Sequence, residues 1–243
     1  MRATCLRLLP ILVSLIALPS GMAGASEKSA AGRRSAPPSA ARPASALAGW
    51  DRATLGSIDS HVLELALQAS GCAMRQGLAS HASTLTVIDY SRPSTEKRLW
   101  VLDLRTRELI YEELVAHGQG SGGNVPTLFS NQADTHRTSL GLFVTGDSYV
   151  GKNGYSLRLD GLDRGFNDRA RDRAIVMHGA PYVSEQVARQ QGRLGRSWGC
   201  PAVSEAVARN LIDRVKGGSL VFAYYPDQNW LAGSRYLGNC AAV

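Results

Sequence analysis

The chain has 243 residues, a formal net charge of +7 and 44% hydrophobic residues. Its basic residues are scattered along the sequence, which argues against a nucleic-acid-binding protein, since such proteins gather Lys and Arg on one face. A modest positive charge suits instead an anionic polymer or a membrane surface. The sequence carries no indication of the oligomeric state.

The first 25 residues have the layout of a secretory signal peptide. Arg2 and Arg7 form a basic tip, an apolar run extends over residues 8–18, and small residues lead up to Ala25. The apolar run is short for a membrane span, which needs about 20 residues. We therefore predict cleavage after Ala25 and export to the periplasm or the cell wall, with no transmembrane segment in the mature chain. A retained signal anchor is the alternative.

Residues 26–48 are rich in Ala, Ser, Pro and Arg and almost lack large apolar side chains. Such a segment cannot bury enough surface to offset the entropy lost on ordering, so we predict a disordered tether. The rest of the chain, about 190 residues, is a typical length for a single domain.

Residues 49–84 are predicted to be a helical N-terminal region. Between Ile58 and Ala79 apolar residues recur at helical spacing, with Ser57 or Asp59 as the N-cap, which indicates one or two helices.

Short β-like runs separated by Gly- and Asn-rich loops follow this region, with no helices between them. This order predicts a mostly β domain of the α+β class, with mainly antiparallel strands. The predicted strands are Leu85–Asp89, Leu99–Leu104, Glu108–Ala116, Leu140–Thr145, Ser156–Leu159, Ala174–His178 and Ser219–Tyr225.

One helix interrupts the β pattern late in the chain. Val207, Leu211 and Val215 form an apolar stripe at four-residue spacing, Ser204 is a suitable N-cap, and two glycines follow Lys216. The pattern predicts a helix from about Ser204 to Lys216.

Three cysteines remain after the predicted signal peptide: Cys72, Cys200 and Cys240. An odd number in an oxidising compartment leaves one thiol unpaired. We expect Cys72 to pair with Cys240, near the two ends of the domain, and Cys200 to stay free. Three ordinary thiols are the alternative.

Cys200 and His178 are the candidate catalytic pair. Cys200 lies in a glycine-containing turn ahead of the predicted helix, where a helix N-terminus and a nearby imidazole both favour a thiolate. His178 ends an apolar strand that would hold its ring rigidly. Amide groups around Gly199 and Cys200 are candidates for an oxyanion site. A buried structural Cys and a packing His are the alternatives.

The chain resembles the YkuD-type L,D-transpeptidase catalytic domain, in particular its divergent branch of murein L,D-transpeptidase catalytic domain proteins. The resemblance runs from about Leu85 to Pro226. Its segments are VAHGQGSGG at 115–123, FSN at 129–131, SLGLFVTGDSYVGKNGYSLRLDGL at 139–162, RAIVMHGA at 173–180 and the most specific, GRLGRSWGCPAV at 192–203.

The family's Ser/Thr-His-Gly-Cys signature falls on Ser197, Trp198, Gly199 and Cys200, and its general base falls on His178. Trp198 therefore stands where the signature has His, and Pro201 and Ala202 replace an aliphatic residue and an Arg or Asn. These departures leave the group that orients His178 undefined and make Arg196 a candidate for the missing arginine.

Further residues are expected to line the cleft: Tyr155, Arg158 and Trp198. Regular strand alternation would place Tyr155 and Arg158 on opposite faces, so at least one of them is expected to be structural. His117, in a Gly-rich loop, is either a second functional imidazole or a packing residue.

The resemblance implies an L,D-transpeptidase-like β-sandwich over residues 85–243 and a thiol acyl transfer on peptidoglycan stem peptides. Cys200, deprotonated by His178, would attack the carbonyl of the third stem residue and release D-alanine. An amine from a second stem would then give a 3–3 cross-link, or water would complete an L,D-carboxypeptidase reaction. This chemistry needs no cofactor.

Three other classes of protein remain as alternatives. A zinc peptidase is disfavoured, because no HExxH motif or close ligand spacing is present and no metal site is predicted. A papain-like hydrolase usually presents Cys before His, whereas His178 precedes Cys200 here. The third class is a non-catalytic wall-binding module, and the presence of Trp198 in place of the signature His is the feature that supports it.

Overall fold

The computed structural model describes residues 46–51, 53, 55–238 and 240. The predicted signal peptide, and all but the last three residues of the predicted tether, lie outside the described residues. Within the described part of the chain, no helix has the length and apolar character needed to cross a membrane.

Four α-helices and nine strands make up the described fold. The helices are α1 Ser60–Arg75, α2 Glu185–Gln191, α3 Glu205–Val215 and α4 Gln228–Gly233. The strands are β1 Thr84–Asp89, β2 Leu99–Asp103, β3 Leu109–Glu113, β4 Val115–Ala116, β5 Gly141–Gly151, β6 Gly154–Gly161, β7 Val176–Ala180, β8 Ala202–Ser204 and β9 Leu220–Tyr224.

The strands form one nearly closed sheet in the order β3-β2-β1-β9-β5-β6-β7-β8-β4. All neighbours pair antiparallel except β1 with β9 and β7 with β8. The predicted mostly β, α+β class is confirmed, and the sandwich implied by the resemblance takes the form of this continuous sheet. Strands β1 and β9 are buried along their whole length, because helices cover them as well as neighbouring strands.

The predicted helix in the N-terminal region is α1. Asp59 caps it, its carboxylate accepting hydrogen bonds from the amides of His61 (2.9 Å) and Val62 (3.1 Å). The buried face of α1 packs against β1 and β9. The stripe of Val207, Leu211 and Val215 likewise belongs to a helix, α3, which begins after Ser204 and packs mainly against β7.

Three short elements were not predicted: α2, β8 and α4. Helix α2 has seven residues, and β8 has only three. Segments this short carry too few residues for a period to emerge from the sequence. The omission of β8 matters most, because this strand separates Cys200 from α3. The thiol therefore does not lie in the first turn of that helix, where the helix dipole acts most strongly.

A disulfide joins Cys72 in α1 to Cys240, with a Cα–Cα distance of 5.6 Å, and Cys200 is a free thiol. The bridge spans 168 residues of sequence. It links the first helix to the end of the chain and so restricts the unfolded ensemble strongly.

Candidate active site

Adjacent parallel strands bring Cys200 and His178 together. The β7–β8 register pairs His178 with Ala202, and the His178 amide donates to the carbonyl of Pro201 at 3.4 Å. Cys200 therefore lies beside β7, just before β8 begins. Both side chains line one cleft of about 310 Å³, with Lys152, Asn153, Tyr182, Arg196, Ser197 and Trp198.

Cys200 lies at the floor of the cleft and is 7% exposed to solvent. Its Sγ accepts a hydrogen bond from the Val176 amide at 3.5 Å and donates to the carbonyl of Ala174 at 3.7 Å. Burial raises the pKa of this thiol, while the Val176 N–H and the charge of Arg173 act in the opposite direction. Cys200 is thus a neutral thiol at rest.

The orientation of the His178 ring defines its basic nitrogen. Nδ1 lies 2.9 Å from the carbonyl oxygen of Gly179, and a carbonyl can only accept a hydrogen bond, so Nδ1 carries the proton. Nε2 is then the unprotonated nitrogen. Burial lowers the pKa of the imidazole, which keeps it neutral at pH 7. The Gly179 carbonyl supplies the orienting partner that the sequence left undefined.

A network within residues 197–200, which we call the nucleophile turn, holds Cys200 in place. Ser197 Oγ donates to the carbonyl of Cys200 at 2.6 Å and accepts from the Gly199 amide at 3.1 Å. The Gly199 N–H is therefore occupied, whereas the Cys200 N–H has no hydrogen-bond partner among the described residues. Of the two amides expected to form an oxyanion site, the Cys200 amide is the one that remains available.

Glycine is required both within the nucleophile turn and in the loop that packs against it. Gly199 has φ 113°, in the left-handed region. Gly118 contacts it from the neighbouring loop: a Cβ on Gly118 would lie 2.7 Å from the Gly199 Cα and 2.3 Å from the His136 carbonyl oxygen. Backbone contact therefore sets the position of the turn.

Trp198 forms an aromatic wall of the cleft. It is 67% exposed, and its ring stacks on the imidazole of His136 with centroids 4.7 Å apart and an interplanar angle of 8°. The His136 ring is held in turn by Gln119, whose Nε2 lies 2.9 Å from Nδ1. Trp198 thus presents an aromatic surface beside Cys200 that is held by His136.

Arg196 and Arg173 are the two candidates to replace the arginine that the signature lacks. Arg196 lines the cleft, and its Nη1 donates to the Gly122 carbonyl at 2.7 Å. Arg173 was not singled out from the sequence, yet its charge acts on the Cys200 thiol. Its guanidinium donates to the carbonyls of Ser130 (2.7 Å) and Arg137 (2.6 Å). The effect of Arg173 on Cys200 depends on how these loops fold and could not be predicted from the sequence.

Tyr155 and Arg158, which were predicted to line the cleft, are not among the described residues around it. The Tyr155 hydroxyl donates to Asp213 of α3 at 2.6 Å. The Arg158 guanidinium lies over the Tyr149 ring, 4.4 Å from its centroid. Their strand, β6, extends further than predicted, and both side chains bind neighbouring elements of the scaffold.

His117 is a buried structural residue, 1% exposed, and is absent from the cleft lining. Its Nδ1 lies 2.8 Å from Nη2 of the buried Arg98. Arg98 in turn donates to the carbonyls of Val115 and Arg92. Burial and the neighbouring Arg98 lower the pKa of His117 to about 3, so the ring is neutral. The packing interpretation of His117 fits these contacts.

Two other features bear on the choice of site. No group of three or more His, Cys, Asp or Glu side chains within the described residues could hold a metal ion. A larger cavity, of about 950 Å³, lies between the segment before α1 and the ends of β1 and β9. Neither Cys200 nor His178 lines it, so the smaller cleft is the one that holds the candidate catalytic pair.

The solved structures that are similar to this chain include L,D-transpeptidases. One from Mycobacterium smegmatis has 16% identity and a TM-score of 0.37, with 59% of each chain covered. Another, from Stackebrandtia nassauensis, has 13% identity and a TM-score of 0.37, with 68% of each chain covered. The helical cell shape determining protein Pgp2 from Campylobacter jejuni has 11% identity and a TM-score of 0.40, with 68% of this chain and 55% of that one covered. No curated protein matches the sequence.

A family model described as the L,D-transpeptidase catalytic domain matches residues 55–224, which is more than half of the chain. The matched segment includes the nucleophile turn, His178 and every strand of the sheet. The chain therefore belongs to the L,D-transpeptidase catalytic domain family.

Proposed function

We propose that the protein is a peptidoglycan L,D-transpeptidase in which Cys200 is the nucleophile and His178 the general base. The observation that carries the proposal is the placement of a free thiol and an imidazole with an unprotonated Nε2 in one cleft. Membership of the family supports peptidoglycan stem peptides as the substrate. No cofactor is needed for this chemistry.

The first half of the reaction acylates the thiol. In the resting enzyme the S–H points to the Ala174 carbonyl, so it must turn towards His178 Nε2 before attack. His178 accepts the proton as sulfur bonds to the carbonyl carbon of the third stem residue. Collapse of the tetrahedral intermediate transfers that proton to the departing amine of D-alanine and leaves a thioester on Cys200.

The nucleophile turn contributes the groups that act on the developing oxyanion. The Cys200 N–H, which has no hydrogen-bond partner among the described residues, is the donor that we assign to the developing oxyanion, and Ser197 Oγ anchors the turn through the Gly199 amide and the Cys200 carbonyl. Arg173 adds a positive charge near the sulfur that favours the thiolate during attack.

The second half of the reaction determines the product. An amine from the third residue of another stem peptide attacks the thioester and forms a 3–3 cross-link. Water in its place gives an L,D-carboxypeptidase. We place the enzyme outside the cytoplasmic membrane, with residues 1–25 as a signal peptide, 26–48 as a tether, 49–84 as the helical region and 85–243 as the catalytic domain.

Incubation of the domain with disaccharide-tetrapeptide muropeptides tests the proposal, with products separated by chromatography. We expect D-alanine release and 3–3 dimers from the wild type, and no release from Cys200→Ser. His178→Gln should lose at least about 100-fold in rate, as expected for removal of a general base. His81→Gln, at an exposed turn, is the matched control and should retain activity.

The alternative outcomes have distinct meanings. Release of D-alanine with tripeptide as the only other product identifies a carboxypeptidase. Muropeptide binding without any thiol-dependent turnover would contradict the proposal and favour a wall-binding module, for which Trp198 offers a binding surface.

A further inference from the structure

The β5–β6 hairpin carries a lysine into the cleft. The hairpin turns at Lys152 and Asn153 between two glycines, and both of these residues line the cleft with Cys200. Lys152 is exposed, and its ammonium makes no ion pair or hydrogen bond within the described residues. A cation that faces the cleft without a partner is available to a ligand.

The charged side chains that line the cleft are both positive. Lys152 and Arg196 are its charged lining residues, and none of the Asp and Glu residues that the structure describes lines it. Within the described part of the chain, Arg196 donates from Nη1 to the Gly122 carbonyl, and most of its five guanidinium N–H groups have no other partner there. Two cations without a carboxylate between them favour an anionic group of the substrate.

Bond geometry in the donor peptide identifies which anionic group of the substrate lies in this cleft. The α-carboxylate carbon of the leaving residue is three bonds from the attacked carbonyl carbon, and ordinary bond lengths place the two atoms about 3–4 Å apart. This carboxylate must therefore enter the same cleft as the Cys200 sulfur. Carboxylates on the second residue or at the end of the third side chain are separated from the attacked carbon by more bonds.

We propose that Lys152, together with Arg196, forms a subsite for the free α-carboxylate of the leaving residue of the donor stem. This inference rests on the proposed function. It makes Lys152 a specificity residue that selects donors ending one residue after the attacked carbonyl. A further residue would convert the carboxylate into a neutral amide and remove the charge that the subsite binds.

Three donor peptides separate the sources of the carboxylate. The first is the tetrapeptide acid, the second its C-terminal primary amide, and the third the acid with its diamino acid side-chain carboxylate amidated. The wild type should use the first and third about equally. The C-terminal amide should show a kcat/KM at least tenfold lower, as expected for loss of a charge-assisted hydrogen bond.

Variants then assign the subsite to a residue. Lys152→Met should lose about tenfold in kcat/KM for the acid, mainly through KM, and change less than about twofold for the C-terminal amide. Lys97→Met is the matched control, because Lys97 is exposed beside Thr95 and Glu185, away from the cleft. It should leave both values unchanged.

Calorimetric binding of the same peptides to Cys200→Ala provides a readout that needs no turnover. Turnover without an acid–amide difference, or an equal loss for both peptides in Lys152→Met, would overturn the inference and leave the proposed function intact. Discrimination only against the side-chain amide would assign the cations to the other carboxylate and overturn it too. If the protein binds the acid in preference to the amide in a Lys152-dependent way but shows no turnover, the proposed enzymatic function is refuted and the carboxylate subsite is supported.

Discussion

Replacement of Gly118 by alanine tests whether contact between two backbones positions the nucleophile. Gly118 has φ −69°, which every L-residue adopts, so the substitution introduces no backbone strain of its own. Its effect must come from the added Cβ, which would lie 2.3 Å from the His136 carbonyl oxygen and 2.7 Å from the Gly199 Cα.

Ordinary contacts of a Cβ begin at about 3.4 Å, so the two loops must separate by roughly 1 Å. Overpacking of this kind costs about 1–3 kcal/mol of folding free energy. The turn that moves carries Cys200, and a misplacement of about 1 Å costs on the order of 100-fold in rate. We therefore expect Gly118→Ala to lose about 1–3 kcal/mol of stability and on the order of 100-fold in rate.

Urea unfolding and D-alanine release measure the two effects on one preparation. Gly123→Ala is the control, because Gly123 is in the same loop and a Cβ there meets no atom of the described residues within 4 Å. It should match the wild type in both assays. Equal unfolding midpoints and equal rates for Gly118→Ala and Gly123→Ala would refute the steric argument.

Three further predictions concern stability and pH. The double variant Cys72→Ser, Cys240→Ser should lose about 2–4 kcal/mol in urea unfolding, and an unchanged midpoint would refute this. Ser197→Ala leaves an amide and a carbonyl of the nucleophile turn unpaired, so it should cost about 1–3 kcal/mol and lower kcat, whereas retained kcat would contradict its positioning role. Burial and Arg98 lower the pKa of His117 to about 3, so below its ordinary value of 6.5 the unfolded chain binds a proton that the folded chain does not. Stability should thus fall as the pH drops from 6.5 towards 3, by up to about 1.4 kcal/mol per unit from this group, and His117→Gln should reduce the slope. Equal slopes of unfolding free energy against pH for the wild type and His117→Gln, between pH 6.5 and 3, would refute this prediction.

The elements that sequence patterns predicted are those with a long, uniform environment. Strand β1 is buried throughout, and α3 presents an apolar stripe over three turns, so composition and spacing alone identify them. Strand β8 has three residues and follows a proline, and its pairing with β7 depends on the topology of the whole sheet. No local pattern encodes such a contact.

The candidate site divides in the same way. Trp198 and Cys200 stand in one short motif and His178 in another, and the resemblance was sufficient to bring them together. The role of Arg173 and the free Cys200 amide depends on contacts between loops that are distant in sequence. For Tyr155, strand alternation predicts a face of the sheet but not what packs against that face.

The formation of an acyl-enzyme on Cys200 is the central claim, and intact-mass spectrometry of the reduced domain after addition of a disaccharide-tetrapeptide tests it most directly. We predict an adduct equal to the muropeptide minus D-alanine, mapped to the peptide that contains Cys200, absent from Cys200→Ala and removed by hydroxylamine, as a thioester would be. A folded wild-type protein with a free thiol that releases D-alanine without this adduct, or forms it equally in Cys200→Ala, would contradict the account.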